Sequence, residues 1–143
     1  MENDTEKLLE ACNEGIKMGV ESIEEVLGRV GNERMKTRLE DCRLEHQKLR
    51  RETGEYLTQM GTDAKEPNPI AKGMSWMKTN MKMAVDETDE TIADLMTDGC
   101  NMGVKSLSKY LNQYEAASEK TKDVAKKLIA IESTLSQDIR QYL

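Results

Sequence analysis

The chain has 143 residues, of which 37% are hydrophobic and 34% charged, and its formal net charge is −6. This length fits one compact domain with a real core, and the acidic balance argues against nucleic acid, whose phosphates would repel the protein. No apolar run approaches the roughly 18 residues that a membrane helix needs, and the acidic, polar N-terminus is unlike a signal peptide. Ten methionines and no phenylalanine favour an all-α protein, because strands would use more aromatic and β-branched residues.

The cysteines, at positions 12, 42 and 100, are odd in number and include no CxxC pair. A disulfide framework uses an even number of cysteines, so this pattern favours free thiols in a reducing compartment. We therefore expect a cytoplasmic protein.

The first helical hairpin is predicted over residues 5–60. Its first helix, 5–28, has Asp4 or Thr5 as its N-cap. Its second helix, 33–60, has Asn32 as its N-cap. This helix carries the most regular apolar pattern of the chain, with alternating spacings of four and three residues. The positions of this seam, which predicts packing against neighbouring helices, are Met35, Leu39, Cys42, His46, Leu49, Thr53, Tyr56 and Met60.

A long crossover is predicted over residues 61–88. The segment GTDAKEPNP contains both prolines and stops the preceding helix. Residues 70–84 then show a methionine-rich stripe that predicts an additional short helix. We interpret this stripe as packing against the bundle rather than as a soft-metal site or an adhesive groove.

The second hairpin is predicted over residues 89–142. Its helices cover 89–114, with Thr88 or Asp89 as N-cap, and 119–142, with Ser118 as N-cap. The buried face of the third helix is predicted to consist of Ile92, Met96, Gly99, Gly103, Leu107, Tyr110 and Tyr114. The apolar stripe of the fourth helix consists of Val124, Leu128, Ile131, Leu135, Ile139 and Tyr142.

A near-repeat relates the two hairpins, since GIKMGVESI at 15–23 returns as GCNMGVKSL at 99–107. Packing the apolar stripes of two equivalent hairpins against each other predicts a four-helix bundle, with residues 1–143 forming a single domain. The glycines shared by the repeat are interpreted as points of close helix packing. Space left for a ligand is the less favoured alternative, because protein interiors rarely keep voids.

Two hairpins joined by a long crossover resemble the ferritin-like superfamily. The chain is similar in particular to a bacterial group of tandem-hairpin domains of unknown function. The resemblance covers nearly the whole chain and lies in the opening LLEACNEGIKMG, in SWMK around Trp76 and in the acidic stretch before the third helix. It implies a ferritin-like four-helix bundle with an extra helix in the crossover.

The resemblance also implies a test for metal chemistry. Ferritin-like metal enzymes place a glutamate on each of two helices and a Glu-x-x-His on each of the other two. Here the only histidine is His46, and the residue three before it is Arg43. The last helix offers Glu132 without a histidine, and Glu14 and Asp98 are predicted to point away from the core. Oxidase or iron-storage chemistry is therefore not expected.

The remaining candidate site is His46 with its neighbours. Cys42, His46 and Glu132, together with Cys12, would suit a tetrahedral zinc site. The favoured alternative is a core histidine that hydrogen-bonds to Glu132 or to a backbone carbonyl. It is expected to be neutral, with a lowered pKa, because Glu132 only borders the apolar stripe. An ion pair with ionised Glu132, which would raise the pKa of His46, is the less favoured interpretation.

The sequence predicts a non-catalytic bundle with no cofactor, which acts through self-association or through contact with another protein. The alternative is a metal-binding protein with a reduced or non-standard site. Neither a phosphate-binding loop nor a nucleophile motif is present to indicate an enzyme. Nucleic acid and membranes are not expected as partners.

Overall fold

A computed structural model describes residues 3–61 and 88–143. These residues form four α-helices and a final 3-10 turn: α1 (Asp4–Leu27), α2 (Glu33–Gln59), α3 (Asp89–Gln113), α4 (Glu119–Asp138) and Arg140–Tyr142. No strand occurs within the described ranges, which confirms the all-α prediction. The predicted crossover helix at 70–84 lies outside the described residues.

Three of the four helices begin at a predicted cap. Asn32, Thr88 and Ser118 each accept a hydrogen bond from the backbone N–H three residues later, which satisfies one of the donors left open at a helix start. The fourth helix ends earlier than predicted, at Asp138, and the chain continues as the 3-10 turn. None of the described helices combines the length and apolar character needed to cross a bilayer.

The start of α1 differs from the prediction. Asn3, rather than Asp4 or Thr5, is the N-cap, and its Oδ1 accepts from the backbone N of Glu6 at 2.8 Å. Asp4 and Thr5 instead accept backbone hydrogen bonds from the turn that joins α3 to α4. Polar residues that suit a local cap are therefore used for a long-range contact.

The two hairpins hold each other's turns reciprocally. Asp89, at the start of α3, accepts from the backbone N–H groups of Gly31 and Asn32 in the α1–α2 turn, at 2.8 and 2.9 Å. In the equivalent place, Asp4 at the start of α1 accepts from the backbone N of Ala116 in the α3–α4 turn, at 3.0 Å. This exchange supports the equivalence of the hairpins that the repeat predicts.

The core consists of two apolar clusters, one towards each end of the bundle. The cluster nearer the α1–α2 turn includes Ile23, Met35, Leu39, Cys42, Met96, Cys100 and Leu135. The cluster nearer the α3–α4 turn includes Leu8, Cys12, Ile16, Leu49, Leu107, Val124 and Leu128. Between them, α2 contributes His46 and α4 contributes Glu132, both buried. The middle of the core is therefore polar.

The apolar stripes differ from their predicted positions in three places. Leu57, not Tyr56, is the buried residue near the end of α2, and it is 1% exposed. Tyr110 lies at the surface rather than on the buried face of α3. On α4, Glu132 is more buried than its neighbour Ile131, so the stripe runs through the carboxylate. Leu57 lies four residues after Thr53 and Glu132 lies four residues after Leu128, so each continues the buried stripe of its helix at helical spacing.

Candidate functional site

The candidate site is the polar centre of the core, and three helices build its middle. His46 lies on α2, Glu132 on α4 and Gly103 on α3. The side chains of His46 and Glu132 are 0% and 1% exposed. Since charged groups are rarely buried without partners, this pair is the most unusual chemical feature among the described residues.

His46 is oriented by its own helix. Its Nδ1 lies 2.8 Å from the carbonyl oxygen of Cys42, one turn earlier, and 3.5 Å from the Cys42 Sγ. A carbonyl oxygen only accepts, so Nδ1 carries a proton and donates it there. This bond fixes the imidazole so that Nε2 points towards α4.

The carboxylate of Glu132 faces the Nε2 of His46. Its Oε1 lies 4.0 Å from the Nε2 of His46, which is an ion-pair distance rather than a hydrogen-bond distance. Its Oε2 is buried and has no hydrogen-bond partner within the described residues. The carboxylate therefore depends on His46 for most of its electrostatic compensation.

Gly103 makes the space for this carboxylate. A Cβ atom at position 103 would lie 2.6 Å from Oε2 and 2.8 Å from Oε1 of Glu132. Contacts this short do not occur at a real Cβ, so only glycine admits Glu132 in its observed position. At Gly15, by contrast, a Cβ would meet Leu128 at an ordinary 3.5 Å. One glycine of the repeat thus accommodates a side chain of the protein itself.

The electrostatics of the pair favour retention of a proton. Burial by itself lowers the pKa of His46, but its hydrogen bonds to Cys42 and the nearby carboxylate of Glu132 outweigh burial and raise that pKa to about 10. Burial raises the pKa of Glu132, and His46 opposes that rise only in part. Both pKa values move upward, so the pair binds a proton more tightly in the folded chain than in the unfolded chain.

This result overturns the expectation of a neutral histidine with a lowered pKa. That expectation assumed that Glu132 lies at the border of the stripe. The structure buries Glu132 fully and directs it at His46, so the histidine has an anionic partner. The ion-pair alternative is the one that the geometry supports.

The three cysteines surround the pair as buried thiols. Cys12, Cys42 and Cys100 are free and 0% exposed. Burial and the nearby Glu132 raise the pKa of Cys12 to about 12, and the same two causes raise the pKa of Cys100. These two thiols therefore stay protonated at neutral pH, and a protonated thiol is a poor nucleophile and a poor metal ligand.

The structure brings the predicted zinc ligands only partly together. Cys42 and His46 are in contact, Glu132 faces His46, and Cys12 is close enough to Glu132 to feel its charge. Among residues 3–61 and 88–143, however, no three His, Cys, Asp or Glu side chains are placed to hold a metal ion. Asp98 is exposed on α3, as the sequence predicted.

Cys100 was missed as a residue of the site, and Glu132 was placed only at the border of the apolar stripe, yet both had a usable signal in the sequence. Cys100 lies at the spacing Met96, Cys100, Gly103, Leu107, which alternates four, three and four. Glu132 has the same relation to Leu128, Leu135 and Ile139. The second helix has this spacing around His46, so the pattern places all three residues on the core side.

The site has the chemistry of a closed ion pair inside an apolar core. Its members can store a proton and fix the orientation of two helices. No family model, curated protein or solved structure matches the chain.

Proposed function

We propose that this chain is a non-catalytic, ferritin-like helical bundle of the cytoplasm, which acts through contacts of its surface with a second copy or with another protein. The observation that carries the proposal is the closure of the core. The most reactive groups of the described residues are all buried: the side chains of His46, Glu132 and the three cysteines are each at most 1% exposed. The four helices in two hairpins and the free cysteines agree with this proposal.

Catalysis requires that a substrate reach the reacting groups. Here the imidazole is held by Cys42 on one side and faces Glu132 on the other, so neither ring nitrogen is directed at solvent. The three thiols are enclosed, and the raised pKa values of Cys12 and Cys100 keep those two protonated. The surface remains as the part of the molecule that meets other molecules.

The buried pair then has a structural role. A buried ion pair contributes little net stability, because desolvation offsets its attraction, but breaking it is costly. A polar contact between α2 and α4 disfavours other registers of the two helices, in which the carboxylate would be buried alone. The pair thus selects one arrangement of the bundle and keeps its surface fixed.

Thiol reactivity and metal content test this proposal directly. In folded protein prepared without a histidine tag, the native thiols are expected to react with DTNB at least about 100-fold more slowly than in the urea-unfolded chain. Thr37→Cys, at an exposed position of α2, is the control and should add one rapidly reacting thiol. Fast reaction of the native thiols, or near one metal ion per chain by elemental analysis, would contradict a closed core.

A second candidate function is metal binding at a non-standard site. The observation in its favour is Oε2 of Glu132, which is buried without a hydrogen-bond partner among the described residues and so has a lone pair to offer. Cys42 and His46 would be the accompanying ligands after rearrangement of their side chains. Zinc that raises the urea midpoint of the wild type, but not of Glu132→Gln, would support this candidate over the first.

A further inference from the structure

The repeat reverses charge on the surface of the two hairpins. With the offset of 84 that aligns the repeat, Glu21 on α1 corresponds to Lys105 on α3, and Glu25 corresponds to Lys109. All four side chains are exposed. The equivalent surface is therefore acidic on the first hairpin and basic on the second.

The second helix of each hairpin extends this reversal. When the caps Asn32 and Ser118 are matched, Glu40 on α2 corresponds to Lys126 on α4, and both are exposed. We define the acidic face as Glu21, Glu24, Glu25 and Glu40, and the basic face as Lys105, Lys109 and Lys126. The acidic face thus belongs to the first hairpin and the basic face to the second.

Most of these charges have no ion-pair partner among the residues that the structure describes. Of the seven residues, only Glu40 takes part in an ion pair within the described ranges, with Arg43 at 3.4 Å. Elsewhere on the surface, acids and bases do pair, as in Lys127 with Glu52 and Arg38 with Asp138. Within residues 3–61 and 88–143, no ion pair joins a residue of the acidic face to a residue of the basic face.

We propose that the acidic face of one copy binds the basic face of a second copy. This inference rests on the self-association part of the proposed function. Because the hairpins are equivalent, the two faces have related backbone shapes, and the exchange of glutamate for lysine makes them complementary in charge. The contact joins different faces of the two copies, so it is head-to-tail and continues into chains or closes into a ring.

Sedimentation of the purified chain at increasing concentration tests the proposal. At about 50 mM salt the average mass should rise with concentration, and at about 0.5 M salt the association should be lost, because exposed charges are then screened. K105E/K109E makes both faces acidic and should remain monomeric. E21K/E24K/E25K leaves Glu40 as the one acid of that face, so both faces are then basic, and this variant should also remain monomeric.

Mixing the two variants is the most direct test of contact between the two faces. Each variant repels itself, but their opposite faces match, so an equimolar mixture should regain association. K48E/R51E is the control matched to K105E/K109E. It replaces two exposed basic residues of α2 that lie outside both faces, so it changes the net charge by the same amount and should leave association intact.

A wild type that stays monomeric at low salt would overturn the proposal, as would a mixture that fails to associate. Equal loss of association in K48E/R51E would also overturn it, because net charge would then be the cause. These outcomes leave thiol protection and metal content unchanged, so they are distinguishable from failure of the proposed closed core.

Discussion

The buried pair of His46 and Glu132 predicts a stability that falls as pH rises. Both pKa values are raised in the folded chain, that of His46 from 6.5 to about 10. The stabilisation by the pair is complete below the unfolded pKa of His46. It is lost as pH increases towards the folded value, because over that range the unfolded chain releases a proton that the folded chain keeps.

The magnitude follows from one proton. A difference of one bound proton changes the free energy of unfolding by about 1.4 kcal/mol per pH unit. At pH 6.5 half of the unfolded chains still hold the proton on His46, so the full slope develops only above that pH. Between pH 6.5 and 8.5 the loss is therefore roughly 2 kcal/mol, which is large against the roughly 5–15 kcal/mol of a typical domain. The slope holds wherever the shared proton resides, on the imidazole or on the carboxylate.

Glu132→Gln is the reference variant. Its amide cannot ionise, and His46 without an anionic partner should be neutral in the core, so this variant should lose little stability over the same pH range. Burial raises the pKa values of Cys12 and Cys100, and both thiols are present in both proteins. The release of their protons on unfolding at higher pH therefore largely cancels in the comparison.

Urea unfolding at intervals from pH 6.5 to 8.5 measures the difference between the two proteins. We expect the stability of the wild type relative to Glu132→Gln to fall steadily with pH. Because His46 is the only histidine, its ring ¹⁵N signals report its protonation without ambiguity. A relative stability that is constant or rises over this range would refute the shared proton and restore the neutral core histidine.

Two further predictions concern glycine and the turns. Gly103→Ala should destabilise the fold by about 1–3 kcal/mol, because its Cβ would displace the carboxylate of Glu132. Gly15→Ala, the control, should be neutral or stabilising by up to about 1 kcal/mol. Equal effects of the two substitutions in urea unfolding would contradict this role of Gly103. Asp89→Ala should lower the free energy of unfolding by about 1–2 kcal/mol, because it removes the acceptor of two backbone hydrogen bonds from the α1–α2 turn. Asp89→Asn keeps one acceptor oxygen and should lower the free energy of unfolding by less. If the two substitutions at Asp89 have equal effects, the paired acceptors are not what holds the turn.

The sequence by itself determined the helices and much of the core. Asn32, Thr88 and Ser118 start their helices because a cap needs only its own next three residues. The buried positions of Cys42 and His46 follow from spacing along one helix, which is also local information. The crossover helix and the ferritin-like resemblance stay predictions.

Only the tertiary structure decided the chemistry of the core. Whether Glu132 borders the stripe or faces His46 depends on the rotation of α4 against α2, and that rotation is set by packing over the whole bundle. The same rotation places the carboxylate against Gly103 and reverses the direction in which the pKa of His46 moves. Asp4 likewise contacts a turn more than 100 residues away, a choice that no local pattern specifies. Periodicity reports which side of a helix is buried, whereas a pKa depends on the few ångströms between side chains of different helices.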